Sequence, residues 1–186
     1  MSNMPAIMNE VKSMMGLTET SDSETPMDDL PEFGSKDVFD LSWRNILEAF
    51  TCTECGRCTS VCPANATGKT LSPRKIMMDI RDRATEIGKK ISAEKTDKST
   101  YDDGKNLFSY ITDEELFACT TCNACVEACP VLINPLEPIL EMRRYRILTE
   151  SAGPAEWIPM YTSMENSGSV WQMPAQRFDW AQNEND

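Results

Sequence analysis

The sequence predicts a mostly α-helical protein with two cysteine-rich loops and extended N- and C-terminal arms. Three observations lead to this fold class. Apolar residues recur at helical spacing in several segments, no segment alternates apolar and polar residues as a half-buried strand does, and the cysteines are confined to two short runs. We expect an acidic arm over residues 1–37, a helical domain over residues 38–152, and an aromatic arm over residues 153–186.

The predicted N-terminal arm combines a linker-like composition with one amphipathic stretch. Residues 1–40 carry nine acidic and two basic side chains, and their content of Ser, Thr, Pro and Gly is typical of a disordered segment. Before the most polar part, apolar residues lie at helical spacing: Met4, Ile7, Met8, Val11, Met14 and Met15. This stretch is either a frayed chain end or a short helix that docks on a partner.

Two helices are predicted on either side of the first cysteine run. The segment FDLSWRNILEAF precedes the run and offers one apolar helical side made of Leu41, Ile46, Leu47 and Phe50. After the run, Ser72 suits the N-cap and Pro73 suits the first helical position. The apolar stripe of this second helix contains Ile76, Met77, Ile80 and Ile87.

Further helices are predicted around the second cysteine run, followed by an aromatic segment. Thr112 and Glu115 have the spacing of a capping box just before the run. Asn134 and Pro135 begin a later helix with apolar contacts from Ile139, Leu140, Met142 and Ile147. From Gly153 onward, aromatic rings are spread among Pro and Gly residues. These rings either hold an extended arm against the helical body or contact a partner. They are Trp157, Tyr161, Trp171, Phe178 and Trp180.

The charge and hydropathy of the chain argue against two classes of partner. A formal net charge of -12 disfavours nucleic acid, whose phosphates need basic contacts, and it disfavours adhesion to an anionic lipid surface. No apolar run reaches the length of a transmembrane helix, and the N-terminus lacks the pattern of a signal peptide. We therefore expect a soluble cytoplasmic protein without a membrane span, in a compartment where thiols stay reduced.

The absence of histidine restricts the chemistry further. It removes the commonest axial haem ligand, Rieske ligation, His-containing zinc sites and the usual general base. Neither G-x-G-x-x-G nor G-x-x-x-x-G-K-[ST] occurs, so the sequence offers no support for a nucleotide or flavin fold. The chemistry of this chain must therefore depend on sulfur.

All eight cysteines lie in two runs that both read C-x-x-C-x-x-C-x-x-x-C-P. Three thiolates of a 4Fe–4S cluster can come from one tight C-x-x-C-x-x-C loop, and in two-cluster proteins the fourth cysteine of a run ligates the other cluster. The spacing therefore predicts two 4Fe–4S clusters and no catalytic residue. The first cluster is assigned to Cys52, Cys55, Cys58 and Cys129. The second is assigned to Cys119, Cys122, Cys125 and Cys62.

Zinc and disulfides are the alternatives for so many thiols. Zinc sites usually take two pairs of ligands per ion, which these runs fit poorly because each has four cysteines closed by C-P. Disulfides need an oxidising compartment. Two 4Fe–4S clusters are the better interpretation.

The charges beside the two runs differ. The second run has no charged residue before Glu127. Four basic residues accompany the first run: Arg57, Lys69, Arg74 and Lys75. Positive charge near a cluster favours its reduced form and raises its potential. Either these residues make the first cluster the one of higher potential, or they simply face solvent.

Two stretches carry a resemblance to a known family, TCTECGRCTSVCPANATGKTLSPRKIMMDIRDR and EELFACTTCNACVEACPVLINPL. They resemble the C-subunit-like domain of heterodisulfide-reductase-type Fe–S oxidoreductases, which holds two 4Fe–4S clusters. Related modules occur in iron–sulfur subunits of anaerobic glycerol-3-phosphate dehydrogenase, glycolate oxidase and lactate-utilisation systems. The similarity runs from about residue 37 to residue 180. It implies an α-helical ferredoxin fold with all eight cysteines as ligands.

The resemblance also suggests a working context. Larger family members add a cysteine-rich domain with C-C-G motifs or a haem-binding membrane region, and this sequence has neither. We expect an electron-transfer subunit at the cytoplasmic face of the inner membrane, between a cytochrome b-like quinone-reactive subunit and a cysteine-rich or flavin-bearing subunit. A freely diffusing dicluster ferredoxin and a catalytic Fe–S reductase subunit are the alternatives.

Overall fold

The computed structural model describes residues 33–95 and 101–171, and these parts contain α-helices, short 3₁₀ and π turns, and no β-strand. The predicted helical fold is confirmed. In chain order the helices are α1 (Trp43–Thr51), α2 (Arg57–Ser60), α3 (Pro63–Ala66), α4 (Pro73–Glu94), α5 (Asp113–Phe117), α6 (Ala124–Glu127), α7 (Leu136–Arg144) and α8 (Ile158–Ser167). The predicted Met-rich stretch near the N-terminus, Phe178 and Trp180 lie outside the described residues.

Helix α4 is the longest element among the described residues and begins as predicted. The Ser72 hydroxyl accepts a hydrogen bond from the backbone N–H of Lys75, and Pro73 occupies the first turn. The predicted apolar stripe is buried along the side of α4 that faces the core: Ile76, Met77, Ile80 and Ile87. At 22 residues the helix extends for about 33 Å, so both cysteine loops and the N-terminal segment can pack against one support.

Helix α1 packs on α4, but only part of its predicted apolar side is buried. Asn45 and Ala49, one turn apart, are buried against the body, while Leu47 is 56% exposed and Phe50 is 53% exposed. Of the predicted apolar side, Leu41 is buried and Ile46 packs against the core, so the pattern holds for two of its four residues. The two helices are in contact, and the buried small side chain of Ala49 is compatible with close packing of α1 on the body.

Residues 33–37 belong to the packed body, although the sequence placed them in the acidic arm. The backbone N–H of Ser35 donates to the Glu141 carbonyl at 3.1 Å. Gly34 has a φ of 83°, and a Cβ there would lie 2.3 Å from the same carbonyl oxygen. Only glycine therefore lets this segment lie so close to the end of α7.

A buried arginine joins three distant parts of the chain. Arg83, on α4, is 1% exposed and forms ion pairs with Asp37 at 2.7 Å and with Asp103 at 2.8 Å. Its guanidinium also donates to the Lys105 carbonyl at 2.7 Å. The N-terminal segment and the connection after α4 are thus fastened to the same helix.

The second half of the body follows the predicted helix starts but not the predicted helix ends. The capping box of Thr112 and Glu115 is present at the start of α5. Helix α7 begins after Pro135 and changes to a π turn over Tyr145–Thr149, so the predicted long helix is shorter in its α-helical part.

The segment after Gly153 contains a helix that its irregular sequence did not indicate. A 3₁₀ turn over Ala155–Trp157 leads into α8. The Trp157 ring meets the Phe117 ring edge-on, with 5.2 Å between centroids, so this part of the segment lies on the helical body. Trp171, at the end of the described residues, is exposed.

Candidate metal centres

The two cysteine loops have the same backbone conformation. The residue two positions after the first cysteine has positive φ in both, 58° at Glu54 and 57° at Thr121. Two residues later φ is positive again, 78° at Gly56 and 64° at Asn123. Glycine and asparagine are the residues that enter this left-handed region at least cost. The repeat in the sequence is therefore also a repeat in three dimensions.

A short helix follows each loop and carries the third cysteine. Helix α2 starts after Gly56 and α6 starts after Asn123, with the same pattern of hydrogen bonds in both. In each loop the fourth cysteine closes the turn, because the N–H of Cys62 donates to Thr59 and the N–H of Cys129 donates to Val126, both at 3.2 Å. Helices α2 and α6 pack against each other. This packing brings the two runs into one region of the fold.

A cavity at the first loop combines thiols from both runs. It encloses about 390 Å³, part of it open to solvent. Four cysteines contribute to its lining: Cys52, Cys55, Cys58 and Cys129. The rest of the wall is mainly apolar and includes Met77, Val131 and Ile133. Three thiols of one run and the last thiol of the other therefore face a common space lined by apolar groups.

Of the remaining four thiols, Cys62 from the first run interacts electrostatically with Cys119 of the second. Cys62 and Cys125 are buried, and Cys119 is half-buried. Burial raises the pKa of the Cys119 thiol, and the negative charges of Cys62 and Cys122 raise it further. Burial likewise raises the pKa of Cys125 to about 12. Cys62, from the first run, thus lies within electrostatic reach of the second loop.

The environment of the thiols suits coordination to cationic iron. None of the eight cysteines forms a disulfide. Burial disfavours a free thiolate, whereas bound metal cations hold coordinating thiols deprotonated. Two backbone N–H groups also point at sulfur: Thr121 donates to the Cys119 Sγ at 3.4 Å, and Ile133 donates to the Cys129 Sγ at 3.3 Å. Such bonds stabilise negative charge on cluster ligands.

Over residues 33–95 and 101–171, no three Cys, Asp or Glu side chains converge as the ligands of one metal ion do. Ligands of a single zinc ion surround one point, whereas the four thiolates of a 4Fe–4S cluster each bind a different iron. The described residues therefore offer no site for a single metal ion, and this absence does not argue against 4Fe–4S clusters.

Comparison with known protein families identifies the cysteine region. Residues 51–133 match the family described as the 4Fe-4S dicluster domain. This part of the chain is therefore a 4Fe-4S dicluster domain. The matched range contains all eight cysteines, and their number fits two 4Fe–4S clusters, as the spacing predicted. The coarse functional prediction, an iron–sulfur chain for electron transfer, is confirmed with it.

Three curated proteins illustrate the relatives of this dicluster chain. The probable iron-sulfur-binding oxidoreductase FadF of Bacillus subtilis is 31% identical over 166 residues, which are 75% of this chain and 24% of the relative. The EtfAB:quinone oxidoreductase of Syntrophomonas wolfei is 29% identical over 156 residues, 75% of this chain and 22% of the relative. The C subunit of the ferredoxin:CoB-CoM heterodisulfide reductase of Methanosarcina mazei is 31% identical over 102 residues, 54% of this chain and 48% of the relative.

The chain spans about a quarter of the length of the first two relatives and about half of the third. The predicted resemblance to heterodisulfide-reductase-type iron–sulfur proteins is confirmed by these similarities. The helices in the described parts of the chain do not include one long and apolar enough to cross a bilayer.

The structure adds one charged residue that the sequence did not connect with the second loop. The Arg143 guanidinium donates to the Leu116 carbonyl at 2.7 Å and to the Cys119 carbonyl at 2.6 Å, and it lies over the Phe117 ring. Burial lowers the pKa of Arg143. No carboxylate among the described residues pairs with it. The second loop therefore has a cation beside it, although its own sequence is neutral there.

The charges around the first loop are mostly positive once ion pairs are considered. Glu54 is paired with Arg81 at 2.7 Å, and Lys75 is paired with Glu115 at 2.8 Å. Arg57 and Arg74 are exposed, and no described carboxylate pairs with either. Arg74 lines the cavity of the first loop, so it is close to the proposed first cluster.

Proposed function

We propose that this chain relays single electrons through two 4Fe–4S clusters, as the iron–sulfur subunit of a multi-subunit oxidoreductase. The observation that carries the proposal is the pair of equivalent loops, held together by α2 and α6, with a cavity that combines thiols of both runs. Two clusters held this close together form a path for electrons rather than two independent sites.

The proposed ligand sets cross between the runs. The cavity supports Cys52, Cys55, Cys58 and Cys129 for the first cluster, since these four thiols line it together. The burial of Cys62 and its electrostatic influence on Cys119 support the second set: Cys119, Cys122, Cys125 and Cys62. When bound, the clusters supply one-electron redox chemistry. The chain supplies the thiolates, the N–H donors and the apolar walls that exclude water.

A relay role agrees with the residues available for chemistry. Eight thiolates complete the ligand sets of two clusters, which leaves no iron open to a substrate. The chain has no histidine for general base catalysis. The reaction of the complex must then take place on partners at each end of the electron path.

For the partners we propose a cytochrome b-like, quinone-reactive membrane subunit and a cysteine-rich or flavin-bearing subunit. The relative named as an EtfAB:quinone oxidoreductase and the relative named as a component of a heterodisulfide reductase support these two classes. We place the chain at the cytoplasmic face of the inner membrane. Protein contacts would hold it there, since a net charge of -12 opposes anionic headgroups. The N-terminal Met-rich stretch and the segment from Trp171 to Trp180 are the proposed docking elements.

The experiment that tests the ligand sets compares cysteine variants by iron content and electron paramagnetic resonance of the reduced protein. Anaerobically purified wild-type protein should contain about eight irons per chain. Cys55→Ser and Cys122→Ser serve as references, because each damages the cluster of its own loop. Crossed ligation predicts that the spectrum of Cys62→Ser matches that of Cys122→Ser, and that Cys129→Ser matches Cys55→Ser.

The opposite pairing, with Cys62→Ser resembling Cys55→Ser, would show that each run holds its own cluster. About four irons, or stoichiometric zinc, would overturn the relay proposal itself. If the intact protein leaves native membranes as a free monomer, the diffusing dicluster ferredoxin is the correct function.

A further inference from the structure

We propose that the surface at the mouth of the first cavity is the docking site for a redox partner with an acidic face. This surface, called the cationic rim, consists of Arg57, Arg74, Val131 and Leu132. The inference rests on the proposed function and deepens it, because it names the cluster that exchanges electrons with that partner and the chemistry of the partner's surface.

The members of the cationic rim surround the first cavity. Arg74 and Val131 line it directly. Arg57 lies between Gly56 and Cys58, which both line it. A hydrogen bond of 2.8 Å between the hydroxyls of Thr59 and Ser72 ties α2 to the start of α4. The two arginines are therefore carried by two elements that are fixed to each other next to the thiols.

The charge at the rim is positive and available. Arg57 and Arg74 are exposed and have no ion pair with any described residue, while Arg81 already neutralises Glu54, the one carboxylate between Cys52 and Cys62. At the second loop the situation differs, because Arg143 is turned inward onto backbone carbonyls and Glu127 adds negative charge. Of the two cysteine loops, the first is thus the one whose described cations are left free for a partner, in a chain of net charge -12.

The rim also has an apolar part. Val131 is 45% exposed and Leu132 is 73% exposed, directly after the C-P that ends the second run. Protein interfaces commonly combine an apolar centre with charged groups that set orientation and association rate. The cationic rim attracts an acidic partner, whereas the net negative charge of the whole chain repels it. The partner is therefore guided to the face nearest the first cluster.

Charge complementarity selects this occupant over a second copy of the chain. Two copies, each of net charge -12, repel each other over most of their surfaces. A basic partner would be attracted to many parts of the chain and repelled at the rim. A small acidic surface region on another protein is the match for two free arginines around an apolar contact.

The test uses electron transfer from the reduced holoprotein to two forms of cytochrome c, followed by anaerobic stopped-flow absorbance at low salt. Native cytochrome c is basic, and the succinylated form is acidic with the same haem. The rim variant is Arg57→Glu with Arg74→Glu. The control is Lys89→Glu with Lys95→Glu, two exposed lysines that lie roughly 20–30 Å further along the α4 axis than Arg74. In both variants two positive charges become two negative ones.

We expect the rim variant to lose roughly tenfold in second-order rate with the succinylated form, and the control to stay within about twofold of wild type. The deficit should shrink at high salt. If the glutamates lower the iron content, Arg57→Gln with Arg74→Gln replaces them, with an expected loss of about threefold.

Equal losses in the rim variant and the control would overturn the docking site, because net charge alone would then explain the rates. An unchanged rate in the rim variant would overturn it as well. If fully loaded wild-type protein is reduced but transfers electrons to neither cytochrome, it is the relay function that fails, which is a separate outcome.

Discussion

Replacing Arg83 by methionine should destabilise the protein far more than the loss of an exposed ion pair on its surface. The Arg83 guanidinium makes contacts of 2.7–3.2 Å with two carboxylates and one carbonyl, and its side chain is 1% exposed. Methionine keeps much of the volume but removes the cation that both carboxylates share, so that Asp37 loses its ion pair and Asp103 keeps only the one with Lys90 at 3.0 Å. Breaking a buried ion pair in this way typically costs about 3–5 kcal/mol.

The assay is urea unfolding of the anaerobic holoprotein, followed by circular dichroism at 222 nm. With a slope of about 2 kcal/mol per molar urea, the expected loss moves the midpoint down by about 2 M. Arg44→Met is the matched control. Arg44 forms a 2.7 Å pair with Glu48 on one face of α1, but its side chain is 41% exposed, so its loss should cost within about 1 kcal/mol.

The dependence on pH gives a second check of the same contact. Hydrogen bonds from Arg83 hold the pKa of Asp103 far below its ordinary value of 3.8. A depressed pKa contributes stability that is present above pH 3.8 and is lost as the pH falls toward the folded-state pKa. The gap in urea midpoint between wild type and Arg83→Met should therefore narrow below about pH 4. A midpoint shift for Arg83→Met no larger than that of Arg44→Met would refute the reasoning.

Two further predictions concern Gly34 and Arg143. Gly34→Ala should lower the free energy of unfolding, measured in urea, by more than about 1 kcal/mol, because the added Cβ would collide with the Glu141 carbonyl. Gly104→Ala is the control, since Gly104 has a similar φ of 69° but no atom lies within 4 Å of the position of the added Cβ. Equal costs would mean that only the backbone conformation matters. Arg143→Leu should lower the reduction potential of the second cluster and leave the first unchanged in a redox titration monitored by electron paramagnetic resonance. A shift in both clusters, or in neither, contradicts the local placement of this charge.

The features predicted from the sequence are those whose signals are local. The cysteine spacing, the Ser72 cap and the Thr112 capping box each depend on residues a few positions apart, and backbone geometry links such residues directly. The repeat of one cysteine pattern also predicted two similar loops. These local signals were sufficient for the cofactor and for the starts of the helices that surround it.

The features that the sequence did not indicate depend on contacts between distant residues. Arg83 and Asp37 are 46 positions apart, and Arg143 and Cys119 are 24 positions apart. The exposure of Leu47 and Phe50 was not predicted, because apolar periodicity alone does not show which residues of α1 are covered by the rest of the body. Helix α8 was not predicted, since its apolar residues follow no single stripe and its position depends on the contact of Trp157 with Phe117.

The shared backbone of the two cysteine loops separates ligand geometry from ligand environment. Positive φ at two matching positions places the thiols, while side chains at matching positions can differ. Glu54 corresponds to Thr121 at one of the positive-φ positions, and Arg57 corresponds to Ala124 at another position of the loop. Because neither pair lies in the core, the two loops can exchange these side chains without moving a cysteine. The charge beside each cluster can then be changed by single substitutions while the loop backbone stays the same. Such substitutions would decide which cluster has the higher reduction potential and therefore the favoured direction of electron transfer between them.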